Sequence, residues 1–88
     1  MSVQADPAEI RIFANELARF GQILDQELSG LRARFDRLGD SWGDAEHSKF
    51  EREFTDLAQA LSTFTPKVQD YVGYLNRKAE PLEEYLGR

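Results

Sequence analysis

The chain has 88 residues, no cysteine, one tryptophan and one histidine, and 16 acidic against 11 basic residues give it a formal net charge of −5. This length fits one small domain. The absence of cysteine excludes a disulfide framework and any thiolate metal site. The acidic balance argues against nucleic-acid binding, because contact with a phosphate backbone needs a basic face.

The first half of the chain carries the spacing of one long amphipathic helix. Its apolar residues recur at steps of three and four and share one side of a helical projection. They are Ile10, Phe13, Leu17, Phe20, Leu24, Leu28, Leu31, Phe35 and Leu38. Asp6 is a suitable N-cap and Pro7 suits the first helical position. We therefore predict a helix over about 7–38, with Gly39 as its left-handed stop.

A second helical pattern follows the sequence Gly39 to Gly43. Its apolar positions are Phe50, Phe54, Leu57, Leu61, Phe64, Val68, Val72, Leu75 and Leu82. Ser41 and Asp44 have the spacing of a capping box at its start. The pattern predicts a main helix over about 44–80, kinked near Pro66 and ended by Pro81. A short tail over 81–88 follows, in which a further turn over 82–86 is left open.

Two long helices with a short connection predict an all-α fold, a single antiparallel helical hairpin over residues 1–88. Six phenylalanines, together with Ile12 and Ile23, exceed what one two-helix seam can bury. We therefore expect dimerisation into a four-helix bundle, with a second copy or with a similar hairpin. The expected core of the hairpin and the dimer is Phe13, Leu17, Phe20, Leu24, Leu28, Leu31, Phe50, Phe54, Leu57, Leu61, Phe64 and Val68.

The residues that could perform chemistry are few. His47 is the only imidazole and falls at the edge of the second apolar stripe, so we expect it to pack at the rim of the core. A zinc site needs several nitrogen or sulfur ligands, and a nucleophile needs a base and a group that orients it. Neither pattern is present in the sequence. We expect no catalytic residue, no metal, no cofactor and no enzymatic activity.

The turn between the helices holds the single tryptophan, Trp42. One interpretation is an apolar plug that closes the end of the hairpin. The other is an exposed aromatic anchor for a partner, a role in which tryptophan is enriched. The two are compatible, because a plug at the tip also forms one wall of a cleft.

The turn motif resembles that of a known family. The sequence Ser41-Trp42-Gly43-Asp44-Ala45, followed by Phe50 eight residues after the tryptophan, is similar to the WXG100 group. These are small helical-hairpin proteins, including the early secreted antigens, associated with type VII (ESX) secretion. One departure is local, since the family's glycine would fall at Asp44 and Gly43 lies one place early. Aspartate also forms turns and starts helices, so the fold expectation is unchanged.

The resemblance implies a non-enzymatic protein that forms a homodimer, or a heterodimer with a similar hairpin. A secretion-system component or a larger effector would be a further partner. By analogy with the family, the recognition end would include Trp42, Gly43 and Asp44, to which we add Tyr74 and Tyr85 because they lie outside the apolar stripe. Many family members or their partners carry a C-terminal Tyr-x-x-x-Asp/Glu export signal. Tyr74 here is followed at that spacing by Lys78, so either a partner carries the signal or this chain is not exported.

The segment from Met1 to Ile10 lacks the continuous apolar run of a signal peptide, and no run of about 18 apolar residues predicts a transmembrane helix. We expect synthesis in the cytoplasm, with secretion by a route that needs no cleaved signal peptide. A cytoplasmic adaptor that escorts a larger effector remains an alternative. Stable membrane insertion is disfavoured, because amphipathic helices that lie on bilayers are usually basic.

Overall fold

A computed structural model describes residues 6–87. Within them the chain forms two helices and no strand: α1 (Pro7–Leu38) and α2 (Ala45–Tyr85). The helices run antiparallel along a rod of 63 × 21 × 19 Å. The Cα radius of gyration is 19.8 Å, whereas a globular chain of this length would have about 12 Å. The all-α hairpin predicted from the sequence is confirmed.

The predicted bounds of α1 are confirmed at both ends. The Asp6 carboxylate accepts a hydrogen bond from the Ala8 N–H at 2.9 Å, and Pro7 follows the cap. The expectation of a left-handed Gly39 is wrong, since its φ is −60° and its ψ is −25°. The Gly39 N–H donates to the Phe35 carbonyl at 3.2 Å, so the chain leaves α1 in a right-handed turn. A Cβ there would lie 3.5 Å from the His47 ring, which makes close packing the use of this glycine.

Asp44 alone provides the side-chain cap of α2. Its carboxylate accepts from the His47 N–H at 3.0 Å. The prediction that Ser41 shares this cap is wrong, because its hydroxyl donates to the Leu38 carbonyl at 3.3 Å. Ser41 therefore closes the end of α1 instead of opening α2.

α2 continues to Tyr85 through two internal prolines, Pro66 and Pro81. The predicted end of the main helix at Pro81 is wrong, because the turn that was left open over 82–86 continues the same helix as far as Tyr85. Residue 88, the end of the predicted tail, lies outside the described residues. A proline inside a helix removes a backbone hydrogen bond. Here the last turns are held against α1, where Ala79 has no exposed surface and Glu83 pairs with Arg11. At Pro66 the helix is unbroken, and the kink there stays a prediction.

Small residues line much of the seam between the helices. Its buried positions are Pro7, Ala14, Gly21 and Leu28 on α1, and Ala58, Val68 and Ala79 on α2. Side chains this small let the helix backbones approach closely, so the larger residues are displaced to the sides. Among the expected core residues, Leu28 and Val68 are buried, while Leu17, Leu24, Phe54 and Leu61 are partly buried.

Six of the twelve expected core residues do not belong to the core of the single hairpin. Their side chains are 36–55% exposed: Phe13, Phe20, Leu31, Phe50, Leu57 and Phe64. The apolar stripe of each helix is wider than the seam, so one edge of each stripe enters the seam and the other stays open.

Candidate interaction surface

Eight of the exposed apolar side chains form one continuous surface across both helices, called the open face here, whereas the exposed Ile12 and Ile23 lie on the outer side of α1, away from both this face and the seam. The Phe20 ring of α1 meets the Phe64 ring of α2 edge to face, with centroids 6.3 Å apart, which places the two rows on the same side of the rod. The rows are Phe13, Phe20, Leu31 and Leu38 on α1, and Phe50, Leu57, Phe64 and Tyr71 on α2. They continue from the tip of the hairpin almost to its open end.

The open face lies to one side of the seam. At ~100° per residue, each exposed row is rotated on average by roughly 60–100° from the buried positions of its own helix. A helix of a four-helix bundle contacts two neighbours in directions about this far apart. In the single hairpin each helix therefore has one of these two neighbours, across the seam, and its open face points toward the place of the second.

The accessible surface of the chain supports the same conclusion. It amounts to 6928 Å², whereas a compact monomer of this mass would expose about 5,300 Å². Each partner in a standard protein interface buries about 800 Å². The hairpin therefore exposes more surface than a single chain of its size needs to, and enough to form an interface.

An aromatic cluster closes the tip of the hairpin. The His47 ring stacks on Phe35 with centroids 5.0 Å apart and planes 10° apart, and Trp42 meets it edge-on at 5.1 Å. Phe54 lies 4.9 Å from Phe35, and Phe50 lies 6.4 Å from Trp42. The expectation that His47 packs at the core rim is confirmed. Trp42 is half-buried, so it closes the cluster and keeps an accessible edge.

The cluster contains one imidazole, that of His47. The Nε2 atom of His47 is buried and has no hydrogen-bond partner among the described residues. Residues 6–87 contain no group of three or more histidine, aspartate or glutamate side chains that could hold a metal ion. A groove of about 330 Å³ beside the cluster is lined by Arg32, Phe35, Asp36, Glu51, Phe54, Thr55, Ala58 and Gln59.

The opposite end of the rod is held by a polar contact. The Arg11 guanidinium donates to both carboxylate oxygens of Glu83, at 3.0 and 2.6 Å, and to the Asn76 amide oxygen at 3.0 Å. The hydrogen bonds to Glu83, with the negative charges of Glu83 and Glu80, raise the pKa of Arg11 against the opposing effect of desolvation. This contact fixes the end of α2 to the start of α1.

The predicted recognition residues fall at the two ends of the rod. Trp42, Gly43 and Asp44 lie at the tip, whereas Tyr74 and Tyr85 lie on the part of α2 nearest the open end, 55% and 78% exposed. A single chain does not bring the two groups together. Any surface that contains both groups requires a second molecule.

Sequence reasoning missed the small residues that set the seam. Ala14, Gly21, Ala58 and Ala79 were absent from the expected core, although all four are buried. The available signal was a seven-residue repeat on α1 that joins Ala14 and Gly21 to Leu28 and Phe35. Such a repeat is typical of close helix pairing.

Comparison with known proteins identifies the family. Residues 2–85 match the family "WXG100: Proteins of 100 residues with WXG". The chain belongs to the WXG100 family. Its departure from the motif has a simple structural account, because Asp44 occupies the glycine position with φ −96° and ψ −175°. This backbone is extended and needs no glycine, and the carboxylate provides the cap of α2.

A secreted protein of known structure has the same fold. The crystal structure of a secreted protein, EsxB, in a mutant form from Bacillus anthracis str. Sterne superimposes with a TM-score of 0.77 over 94% of this chain and 95% of that chain. The two sequences are 20% identical. No curated protein matches the chain at a significant level. In the described residues, neither helix is long and apolar enough to cross a lipid bilayer.

Proposed function

We propose that this WXG100 chain is a type VII secretion substrate or secretion partner that acts as a dimeric helical module and has no enzymatic activity. The open face carries the proposal, because eight large apolar side chains remain about half exposed on one side of the rod. Full burial of one such side chain stabilises a structure by about 1.5–3 kcal/mol. A second hairpin that covers the face gains several kcal/mol from these side chains together.

Membership of the WXG100 family supports the secretory part of the proposal. The similarity to EsxB, described as a secreted protein, agrees with it. In this proposal the chain is made in the cytoplasm and exported by a route without a cleaved signal peptide.

The recognition site in this proposal is a composite end of the dimer. When two hairpins pair in opposite directions, the tip of one chain, with Trp42, Gly43 and Asp44, lies beside the open end of the other, with Tyr74 and Tyr85. A half-buried tryptophan beside exposed tyrosines has the composition of a protein-binding anchor. A secretion-system component or a larger effector is the expected ligand.

Sedimentation equilibrium tests the dimer. We expect a native mass near twice 10.1 kDa, a monomer for Leu57→Asp, and a dimer for the control Gln59→Asp, which adds the same charge away from the open face. Circular dichroism on each sample separates loss of pairing from loss of helix. A wild-type chain that stays monomeric and helical at every concentration would contradict the dimeric part of the proposal.

Export is tested in cells whose type VII system is intact or inactivated. The chain should reach the culture medium only when the system is intact, and Trp42→Ala should reduce export more than it reduces dimer stability. Retention of the wild-type chain in the cell, bound to an unlike hairpin, would favour the cytoplasmic adaptor instead.

A further inference from the structure

The spacing of the exposed row of α1 is the same in both directions. Phe13, Phe20, Leu31 and Leu38 are separated by 7, 11 and 7 residues, so the row is symmetric about a centre between residues 25 and 26. A row with this symmetry matches itself when a second copy is turned end to end. Phe13 then lies level with Leu38 of the second copy, and Phe20 lies level with Leu31 of the second copy.

The exposed row of α2 has the same property. Phe50, Leu57, Phe64 and Tyr71 are spaced every seventh residue, about a centre between residues 60 and 61.

The two centres lie at the same level of the rod. The Thr65 hydroxyl donates to the Asp25 carboxylate at 2.9 Å, and the Phe20 and Phe64 rings are in contact. These contacts place the centres of the two rows within about one helical turn of each other. A single two-fold axis perpendicular to the rod therefore relates both rows to themselves, which is the condition for a symmetric interface between identical chains.

Charges beside the α1 row follow the same symmetry with opposite signs. Glu16 and Arg34 are 18 residues apart, so they point the same way from α1, and they lie nearly equally far from the centre on opposite sides of it. Both are exposed, and neither makes a hydrogen bond or ion pair within residues 6–87. A reversed second copy brings the Glu16 carboxylate of each chain toward the Arg34 guanidinium of the other.

Charged residues beside the α2 row are also arranged with opposite signs on the two sides of its centre. Lys49 and Glu53 precede the centre, and Lys67 and Asp70 follow it. Reversal of a second copy places Lys49 near Asp70 and Glu53 near Lys67, so opposite charges meet along this edge as well. Complementary charges at the rim of an interface fix its register more than they add affinity.

We propose that, in the reversed dimer described above, two symmetric Glu16–Arg34 ion pairs at the edge of the open face fix the register of the two chains. The inference rests on the proposed dimer and names the contacts that set its register. A single α1 holds Glu16 and Arg34 about 27 Å apart, so an interaction between the two positions occurs only between chains.

Charge reversal tests the register. Glu16→Arg and Arg34→Glu should each weaken dimerisation about 10-fold, because each places like charges together twice. The double variant should recover to within about 3-fold of the wild type, since both pairs return with exchanged signs. Arg52→Glu is the control, because it makes the same charge change as Arg34→Glu on the outer side of α2.

A mixture of the two single variants gives an independent test. A Glu16→Arg chain opposite an Arg34→Glu chain has two complementary pairs, so the mixed dimer should form with near wild-type affinity although neither variant pairs well alone. Circular dichroism confirms that each variant remains helical.

A substitution at Glu27 should strengthen the dimer, whereas the single charge reversals weaken it. It lies on the same flank of α1, within a turn of the centre, so the reversed register brings the two Glu27 carboxylates together. Glu27→Gln should therefore tighten the dimer about 2- to 5-fold.

The outcomes separate the two levels of the proposal. A dimer in which neither the double variant nor the mixture recovers affinity would overturn the register and leave the proposed function intact. A wild-type chain that is monomeric alone and pairs only with a different hairpin would overturn the choice of a second copy.

Discussion

A Cβ atom at Gly21 would lie 3.0 Å from the Cγ1 atom of Val68, a residue with no exposed surface. At this contact α1 and α2 pack closely, because Gly21 has no side chain to keep Val68 away. Because a valine in a helix is confined to essentially one χ1 rotamer, Val68 has little freedom to move away.

The first prediction concerns this contact. Gly21→Ala should destabilise the protein by about 1 kcal/mol, because overpacking of about 1–3 kcal/mol exceeds a gain in helix propensity of about 1 kcal/mol. The control is Gly30→Ala, where a new Cβ meets nothing within 4 Å. Gly30→Ala should stabilise the protein by about 0.5–1 kcal/mol. Urea unfolding at one fixed protein concentration measures both, and equal gains at the two sites would show that Val68 yields.

The sequence was sufficient for the presence of two long helices and for the start of the first one. Asp6 and Pro7 begin α1 as predicted, because a cap and a fixed φ act within a few residues and need no tertiary information. The end of α2 was not predictable in this way. Pro81 normally disfavours the preceding helical residue, but the Arg11–Glu83 contact, across a separation of 72 residues, holds the turn in place.

The sequence also did not show which residues of each apolar stripe enter the seam and which stay on the open face. Phe20 and Gly21 are neighbours, and hydrophobicity alone places the phenylalanine in the seam. The structure buries the glycine and leaves the phenylalanine 51% exposed, because close helix packing selects the smaller side chain. The aromatic cluster at the tip was easier to predict from the sequence, because the turn with Trp42 brings the end of α1 and the start of α2 together.

The second prediction concerns Phe54. Its ring contacts Phe35 at 4.9 Å and Phe50 at 6.4 Å, and it is partly buried. Phe54→Ala should cost about 2–3 kcal/mol, somewhat less than truncation of a fully buried phenylalanine. Urea unfolding measures this value. A change below about 0.5 kcal/mol, within the range of ordinary surface substitutions, would place Phe54 outside the core.

The third prediction concerns the open end. Glu83→Gln removes the charge that faces Arg11, so the last turns of α2, after Pro81, should open more often. Amide hydrogen exchange at residues 82–85 should rise several-fold, while exchange near the tip stays unchanged. Glu84→Gln is the matched control, because Glu84 is exposed and the charge change is identical. If both variants exchange alike, the contact with Arg11 does not hold this end.

The fourth prediction concerns His47, whose buried Nε2 atom has no hydrogen-bond partner among the described residues. His47→Phe keeps a ring between Phe35 and Trp42 and removes the unsatisfied nitrogen, so it should stabilise the protein by about 1 kcal/mol. His47→Ala should destabilise it by about 1–2 kcal/mol, because both ring contacts are lost. The backbone hydrogen bond from residue 47 to Asp44 is the same in both variants, so the two differ in the ring alone. Thermal unfolding of the pair measures the difference, and destabilisation by His47→Phe would mean that the imidazole nitrogen has a partner in solution.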